Sequence, residues 1–124
     1  MATDLRQYLG RLGERLAIEH FRRLGYRVLA HNHRTRFGEL DLIVCDDTWL
    51  VFVEVKARRV SERAGSALEA ISPRKQRQVR SMAAAWLAET IDRPRSLELR
   101  FDVIAATVDR HGRLVRLDHV EAAF

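Results

Sequence analysis

Two apolar runs with a turn-forming link between them restrict the folding of this chain more than any other feature. The first is Gly38-Glu39-Leu40-Asp41-Leu42-Ile43-Val44 and the second is Leu50-Val51-Phe52-Val53-Glu54-Val55-Lys56. Cys45-Asp46-Asp47-Thr48-Trp49 joins them with the turn residues of a hairpin. Runs this apolar at successive positions read as strands covered on both faces, in the middle of a sheet. Side chains alternate along a strand, so Glu39 and Asp41 share a face, as do Glu54 and Lys56. With Asp47-Thr48 as a two-residue loop, Asp41 lies opposite Glu54 and Glu39 opposite Lys56. Facing carboxylates about 5 Å apart repel by roughly 3 kcal/mol at an effective dielectric of 20.

Three acids in such strands are costly without partners, and one lysine cannot relieve them all. A divalent cation can, because Mg²⁺ takes oxygen ligands and uses one or two carboxylates together with substrate phosphate. This favours an active site over a solvated hairpin face for Asp41, Glu54 and Lys56. Glu39 either assists the metal through water or pairs with Lys56 or an arginine. Such a cluster suits phosphodiester hydrolysis: the ion polarises phosphate and activates water, and a lysine orients or deprotonates the water or steadies developing charge.

Charge points to a polyanion. Residues 56–80 hold eight bases against Glu62 and Glu69, a net of +6, while the whole chain carries +5. Basic character concentrated beside the acidic cluster suits a nucleic-acid backbone. Arg58, Arg59, Arg63, Arg74 and Lys75 are the candidate backbone contacts here. DNA is the expected partner, with RNA not excluded by charge alone.

At 124 residues the chain is expected to form one domain. Cys45 is the single cysteine, which excludes a disulfide scaffold and a thiolate metal cage. No run reads as a membrane span, and Met1-Ala2-Thr3-Asp4-Leu5-Arg6 lacks the layout of a secretory signal, so a cytoplasmic location is expected.

The remaining periodicity predicts a helix over residues 4–24, with apolar Leu5, Leu9, Leu12, Leu16, Phe21 and Leu24, Thr3 as N-cap and Gly25 as the stop. Tyr26 to His33 reads as a strand, the two apolar runs as the next two, and Arg58 to Gly65 as a basic loop. Ser66-Ala67-Leu68-Glu69 resembles a capping box, and Ser72-Pro73 starts a second helix that ends before Pro94. Leu97 to Val103 and Leu114 to Val120 complete five strands. The order α-β-β-β-α-β-β predicts an α/β sandwich with a mixed five-stranded sheet. Arg100 and Asp102 share a strand face and are expected to pair; Cys45, Trp49 and Trp86 are expected to pack. His31-Asn32-His33 spells the name of another nuclease class, but that class spaces its residues far apart, so no metal role is assigned to these histidines.

An acid on one strand, Glu-x-Lys on the next and a preceding helix with a glutamate resemble the PD-(D/E)XK nuclease superfamily. The closer resemblance is to the YraN-like family of small bacterial predicted endonucleases, similar to archaeal Holliday-junction resolvases. It rests on Gly13-Glu14 and Ala17, Gly25-Tyr26, Asn32 and Arg34, Gly38 to Ile43, Phe52 to Arg58, Lys75 and Arg100 to Val103. The resemblance implies a restriction-endonuclease-like fold and Mg²⁺ or Mn²⁺ as cofactor. It implies Asp41 and Glu54 as metal ligands, the Val55 carbonyl as a further ligand, Lys56 as the catalytic lysine and Glu14 as a helix-borne carboxylate reaching the metal. Asn32 and Arg34 would touch nucleic acid beside the site. Branched DNA as substrate and a homodimer follow by analogy, and a non-catalytic nucleic-acid-binding protein is the alternative.

Overall fold

The computed structural model describes residues 2–61 and 71–124, residues 2 and 3 by backbone alone. Its elements run α1 (Ala2–Arg23), β1 (Arg27–Thr35), β2 (Gly38–Cys45), β3 (Trp49–Arg59), α2 (Pro73–Glu89), β4 (Glu98–Val108) and β5 (Leu114–Val120). The five strands form one sheet in chain order, with β3 and β4 parallel and every other pair antiparallel. The α/β class, the mixed sheet and the element order agree with the sequence pattern. No helix among the described residues is long and apolar enough to cross a membrane.

Helix ends follow local chemistry. The Gly25 amide bonds the Arg22 carbonyl and the Tyr26 amide bonds the Phe21 carbonyl, both at 3.0 Å. Gly25 at φ +92° supplies the left-handed residue this closure needs. The motif brings the Tyr26 ring edge-on to Phe21 at 5.2 Å, an apolar contact that locks the exit from α1. At the other end α1 starts at Ala2, so Thr3 lies inside the helix instead of capping it. In α2, Ser72 caps as expected, its Oγ accepting from the Lys75 amide at 3.1 Å. Arg63 and the capping box at residues 66–69 lie outside the described residues.

Both sheet faces are covered. On one, Ala17 and Phe21 of α1 pack on Leu42, Val44, Val51, Val53 and Ile104. On the other, Val79, Met82, Ala83 and Trp86 of α2 pack on Leu40, Ile43, Cys45, Leu50 and Phe52. Cys45 and Trp86 are core residues, while Trp49 is half-buried beneath the Arg100 guanidinium. Central position also lengthens two strands beyond their sequence pattern. The parallel ladder runs from Trp49↔Glu98 to Arg59↔Val108, so Arg58 and Arg59 belong to β3 and not to a loop. Ile104, Ala105 and Ala106 are buried in succession, because a strand covered on both faces has no reason to alternate.

Arg100 and Asp102 pair as expected, with guanidinium Nε and one Nη each donating to the carboxylate at 2.8 Å. The pair sits within a larger network. Asp102 is fully buried, bonds His119 of β5 at 2.7 Å and accepts from the Ala122 amide, while Arg100 also donates to Tyr26. Burial alone would raise the Asp102 carboxyl, but the bonds from His119, Arg100 and Ala122 hold it below the ordinary carboxylate value. This network stitches β4 to β5 and to the end of α1.

Candidate active site in the fork between two strands

The β2–β3 hairpin has the expected register. The Asp46 amide bonds the Trp49 carbonyl, Asp46 Oδ1 accepts from the Thr48 and Trp49 amides, and the ladder pairs Cys45↔Leu50 through Leu42↔Val53. It then stops. β2 continues beside β1 as far as Thr35↔Gly38, and β3 continues beside β4, so β2 and β3 part beyond Leu42 and Val53. Asp41 and Glu54 stand at the vertex of this fork.

There the Asp41 side chain replaces a missing ladder bond: its Oδ2 accepts from the Val55 amide at 2.8 Å. Glu39 therefore does not face Lys56 across a ladder. It pairs instead with Arg34 of β1, at 3.3 Å on an exposed surface, which is the arginine alternative foreseen for it.

The electrostatics of the vertex are strained. Glu54 is buried, and desolvation together with the neighbouring Asp41 charge pushes its carboxyl up to about 8; Lys75 opposes this at 3.6 Å from Oε1, as does the Lys56 charge. Burial also raises Asp41, against the Val55 amide, its hydrogen bond with Glu54 and the Lys75 charge. The side-chain hydrogen bond between the two acids raises Glu54 and lowers Asp41, the direction expected when one proton is shared by two carboxyls forced together.

Glu14 reaches toward this pair from α1. The approach of the helix depends on Gly13, where a Cβ would come within 2.7 Å of the Ala57 Cβ on β3. Glu14 is half-buried and its carboxyl is raised, first by desolvation and then by Asp41 and Glu39, while a side-chain hydrogen bond from Asn32 lowers it. Asn32 adopts φ +51° within β1, an uncommon state for a residue other than glycine, and engages Glu14 from there. Its polar group thus serves the carboxylate cluster.

The structure brings together Asp41, Glu54, Val55 and Lys75, with Lys56 exposed on β3 two residues beyond Glu54. Among the described residues, no three His, Cys, Asp or Glu side chains gather closely enough to hold an ion. Glu14 and Glu39 are coupled to Asp41 through charge. The donor chemistry still suits a hard dication: two carboxylates and a neighbouring carbonyl are oxygen ligands, and a dication relieves the repulsion that helps to raise the Glu54 carboxyl. Two clefts flank the vertex strand. One, of about 640 Å³, is lined by Arg6, Leu9, Gly10, Val55, Lys56 and Ala57. The other, of about 420 Å³, is lined by Ser72, Arg74, Lys75 and Gln78 at the start of α2. Arg58 and Arg59 lie half-buried at the end of β3, and Arg74 is exposed.

Sequence reasoning missed Arg6 and Gln78. Arg6, Gly10, Gly13 and Ala17 follow helical spacing, so one residue at the end of a small-residue stripe could have been placed beside β3. Gln78 donates to the Phe37 carbonyl at 2.8 Å, a link between α2 and the β1–β2 turn with no local sequence signal.

A family model described as "Uncharacterised protein family UPF0102" matches residues 13–106. A UPF0102 protein of Pelotomaculum thermopropionicum is 47% identical over 122 residues, covering 98% of this chain and 99% of that protein. One of Mycolicibacterium gilvum is 45% identical, covering 96% of this chain and 95% of its own length. One of Frankia alni is 44% identical over 124 residues, with both chains fully covered.

Proposed function

The chain belongs to the UPF0102 family, and on that premise we propose that it is a metal-dependent endonuclease hydrolysing DNA phosphodiester bonds. One observation carries this reading: Asp41 and Glu54 are held in hydrogen-bond contact at a strand fork, beside Lys75 and Lys56, although their mutual repulsion is costly. Proteins retain such arrangements where chemistry needs them.

Asp41, Glu54 and the Val55 carbonyl would hold Mg²⁺ or Mn²⁺, which when bound supplies Lewis-acid polarisation of a phosphate oxygen. Lys56 lines the 640 Å³ cleft beside those ligands, where its ammonium orients the attacking water or steadies charge on the phosphate oxygens. Lys75 offsets the Glu54 charge across the 3.6 Å pair. Arg6 on α1, Arg58 and Arg59 on β3 and Arg74 on α2 give the anionic backbone cationic contacts along the site. Water attack at phosphorus leaves a 5′-phosphate and a 3′-hydroxyl.

The test is an Mn²⁺ titration against single-stranded, duplex, flap and four-way DNA, with RNA counterparts. Metal-dependent cleavage lost in Asp41→Asn and Lys56→Ala supports the reading. Salt-sensitive binding without cleavage on any substrate points instead to the non-catalytic binding protein, and preference for the RNA set removes DNA from the proposal.

A further inference from the structure

We infer that a slot of about 320 Å³ between the β1–β2 turn and α2 is a nucleobase site, which takes one unpaired base of the bound nucleic acid against the Phe37 ring. Resting on the nucleic-acid reading above, this assigns the part of the substrate that lies beyond the β2–β3 fork.

Phe37 is the one exposed phenylalanine among the described residues, at 42%, and its backbone is pinned. Its amide donates to Thr35 Oγ1 at 3.0 Å, that hydroxyl donates to the Gly38 carbonyl, and Gln78 of α2 donates to the Phe37 carbonyl at 2.8 Å. Gly38, at φ +134°, lets α2 come this near, since a Cβ there would lie 2.6 Å from Gln78 Nε2. A ring on an anchored turn is preorganised, so little ordering cost attends stacking on it. The slot is lined on the turn by Arg36 and Phe37 and on the helix by Ser81, Ala84, Ala85 and Ala88. The helix there offers methyl groups and one hydroxyl, with no bulky side chain to fill the space. The Arg36 guanidinium carbon lies 4.8 Å from the Phe37 ring centroid, so a planar group already stacks on this ring.

The occupant follows from charge and shape together. α2 carries the bases Arg74, Lys75, Arg77 and Arg80 against a single acid, Glu89. At helical spacing Arg74, Arg77, Ser81, Ala84 and Ala88 fall on one face, so two exposed arginines lead into the slot from the end of α2 that meets Glu54. Neither Arg36 nor Arg77 makes an ion pair among the described residues. A nucleotide is anionic at its phosphate and planar and uncharged at its base, and arginines beside an apolar slot match both parts. Aromatic rings are stacking platforms for unpaired bases of any sequence. A base inside a duplex has both faces covered by its neighbours, so the occupant is an unstacked one. Four residues of β2 separate Asp41 from Phe37, about 13 Å of strand, or roughly four base steps at 3.4 Å each.

The experiment is fluorescence anisotropy of the full chain in Ca²⁺ with three DNAs: a paired duplex, the same duplex with one unpaired adenine, and the same with an abasic residue in place of that adenine. The natural chain should bind the adenine bulge about tenfold or more tighter than the abasic one, the worth of one stacked base. Phe37→Ala removes the ring and Ala84→Gln fills the slot, and each should erase that difference. Phe37→Tyr should keep it. Affinity for the paired duplex should stay nearly unchanged in all three variants, and circular dichroism checks their folding. If Phe37→Ala disturbs the turn, Ala84→Gln on the exposed helix face decides. Equal affinity for the two bulges, or none for either, overturns the inference, as does a base preference that survives both Phe37→Ala and Ala84→Gln. Metal-dependent cleavage by a chain blind to the base removes the slot and leaves the nuclease, whereas a base preference without cleavage keeps the slot and removes the nuclease.

Discussion

The Val55 amide donates to Asp41 Oδ2 at 2.8 Å, a side-chain bond made where the β2–β3 ladder has just ended. It ties one acid of the site to the backbone of the strand that carries the other, and it keeps the vertex of the fork from closing into ordinary sheet. The candidate chemistry follows from that single substitution of a carboxylate for a ladder carbonyl.

Replacing Asp41 by Asn or Lys56 by Ala should lower kcat for metal-dependent cleavage by about 10²-fold or more, the scale at which a directly acting electrostatic group is lost. Binding of the same DNA, measured by fluorescence anisotropy in Ca²⁺, should change by less than about threefold. A Lys56→Ala protein that cleaves at the natural rate removes this lysine from the site.

Glu54→Gln should raise Tm while abolishing cleavage. Glu54 is buried and its carboxyl is pushed up to about 8 by desolvation and by Asp41, so a neutral isostere removes a standing cost. A gain near 1 kcal/mol corresponds to about 4 °C for a chain of this size. Calorimetry without divalent ions reads it, and a fall in Tm contradicts the idea that the acid is held at an energetic disadvantage.

Asp102 behaves in the opposite sense. Burial raises its carboxyl, but the bonds from His119, Arg100 and the Ala122 amide prevail and hold it below its ordinary value. A depressed carboxylate contributes stability above its unfolded-state value and loses it as pH falls through the folded-state one. Acid unfolding should therefore concentrate below the usual carboxylate range. Asp102→Asn should cost about 3 kcal/mol by leaving the buried Arg100 with only Tyr26 and the more distant, exposed Glu121 carboxylate at 3.9 Å; urea melts from pH 7 to pH 2 would reveal an unchanged midpoint if the network were idle.

Gly13→Ala should cost about 1–3 kcal/mol, since the new Cβ would lie 2.7 Å from the Ala57 Cβ and push α1 off β3. Because Glu14 is the next residue, activity should fall more than stability alone explains. Gly10→Ala, with open space around its Cβ position, is the matched control and should be neutral or slightly stabilising.

Arg74→Ala should reduce the slope of log K against log salt by about 1, as expected when a single phosphate is no longer neutralised by the protein. Arg74 is exposed beside the 420 Å³ cleft, so folding should be untouched. An unaltered slope places the nucleic acid elsewhere.

The amino-acid sequence by itself determined the element order, the hairpin register from Cys45↔Leu50 to Leu42↔Val53, the Ser72 cap and the Arg100–Asp102 pair. All of these depend on neighbours along the chain or directly across one turn, where periodicity and capping chemistry act. The length of β4 was obscured because burial on both faces erases alternation. Tertiary structure alone decided that β2 leaves β3 at Asp41, that Lys75 of α2 meets Glu54, and that Asn32 turns left-handed to engage Glu14. Each joins residues from separate elements, and such meetings depend on how helices and strands pack in three dimensions, which a one-dimensional pattern of apolar and charged residues does not encode.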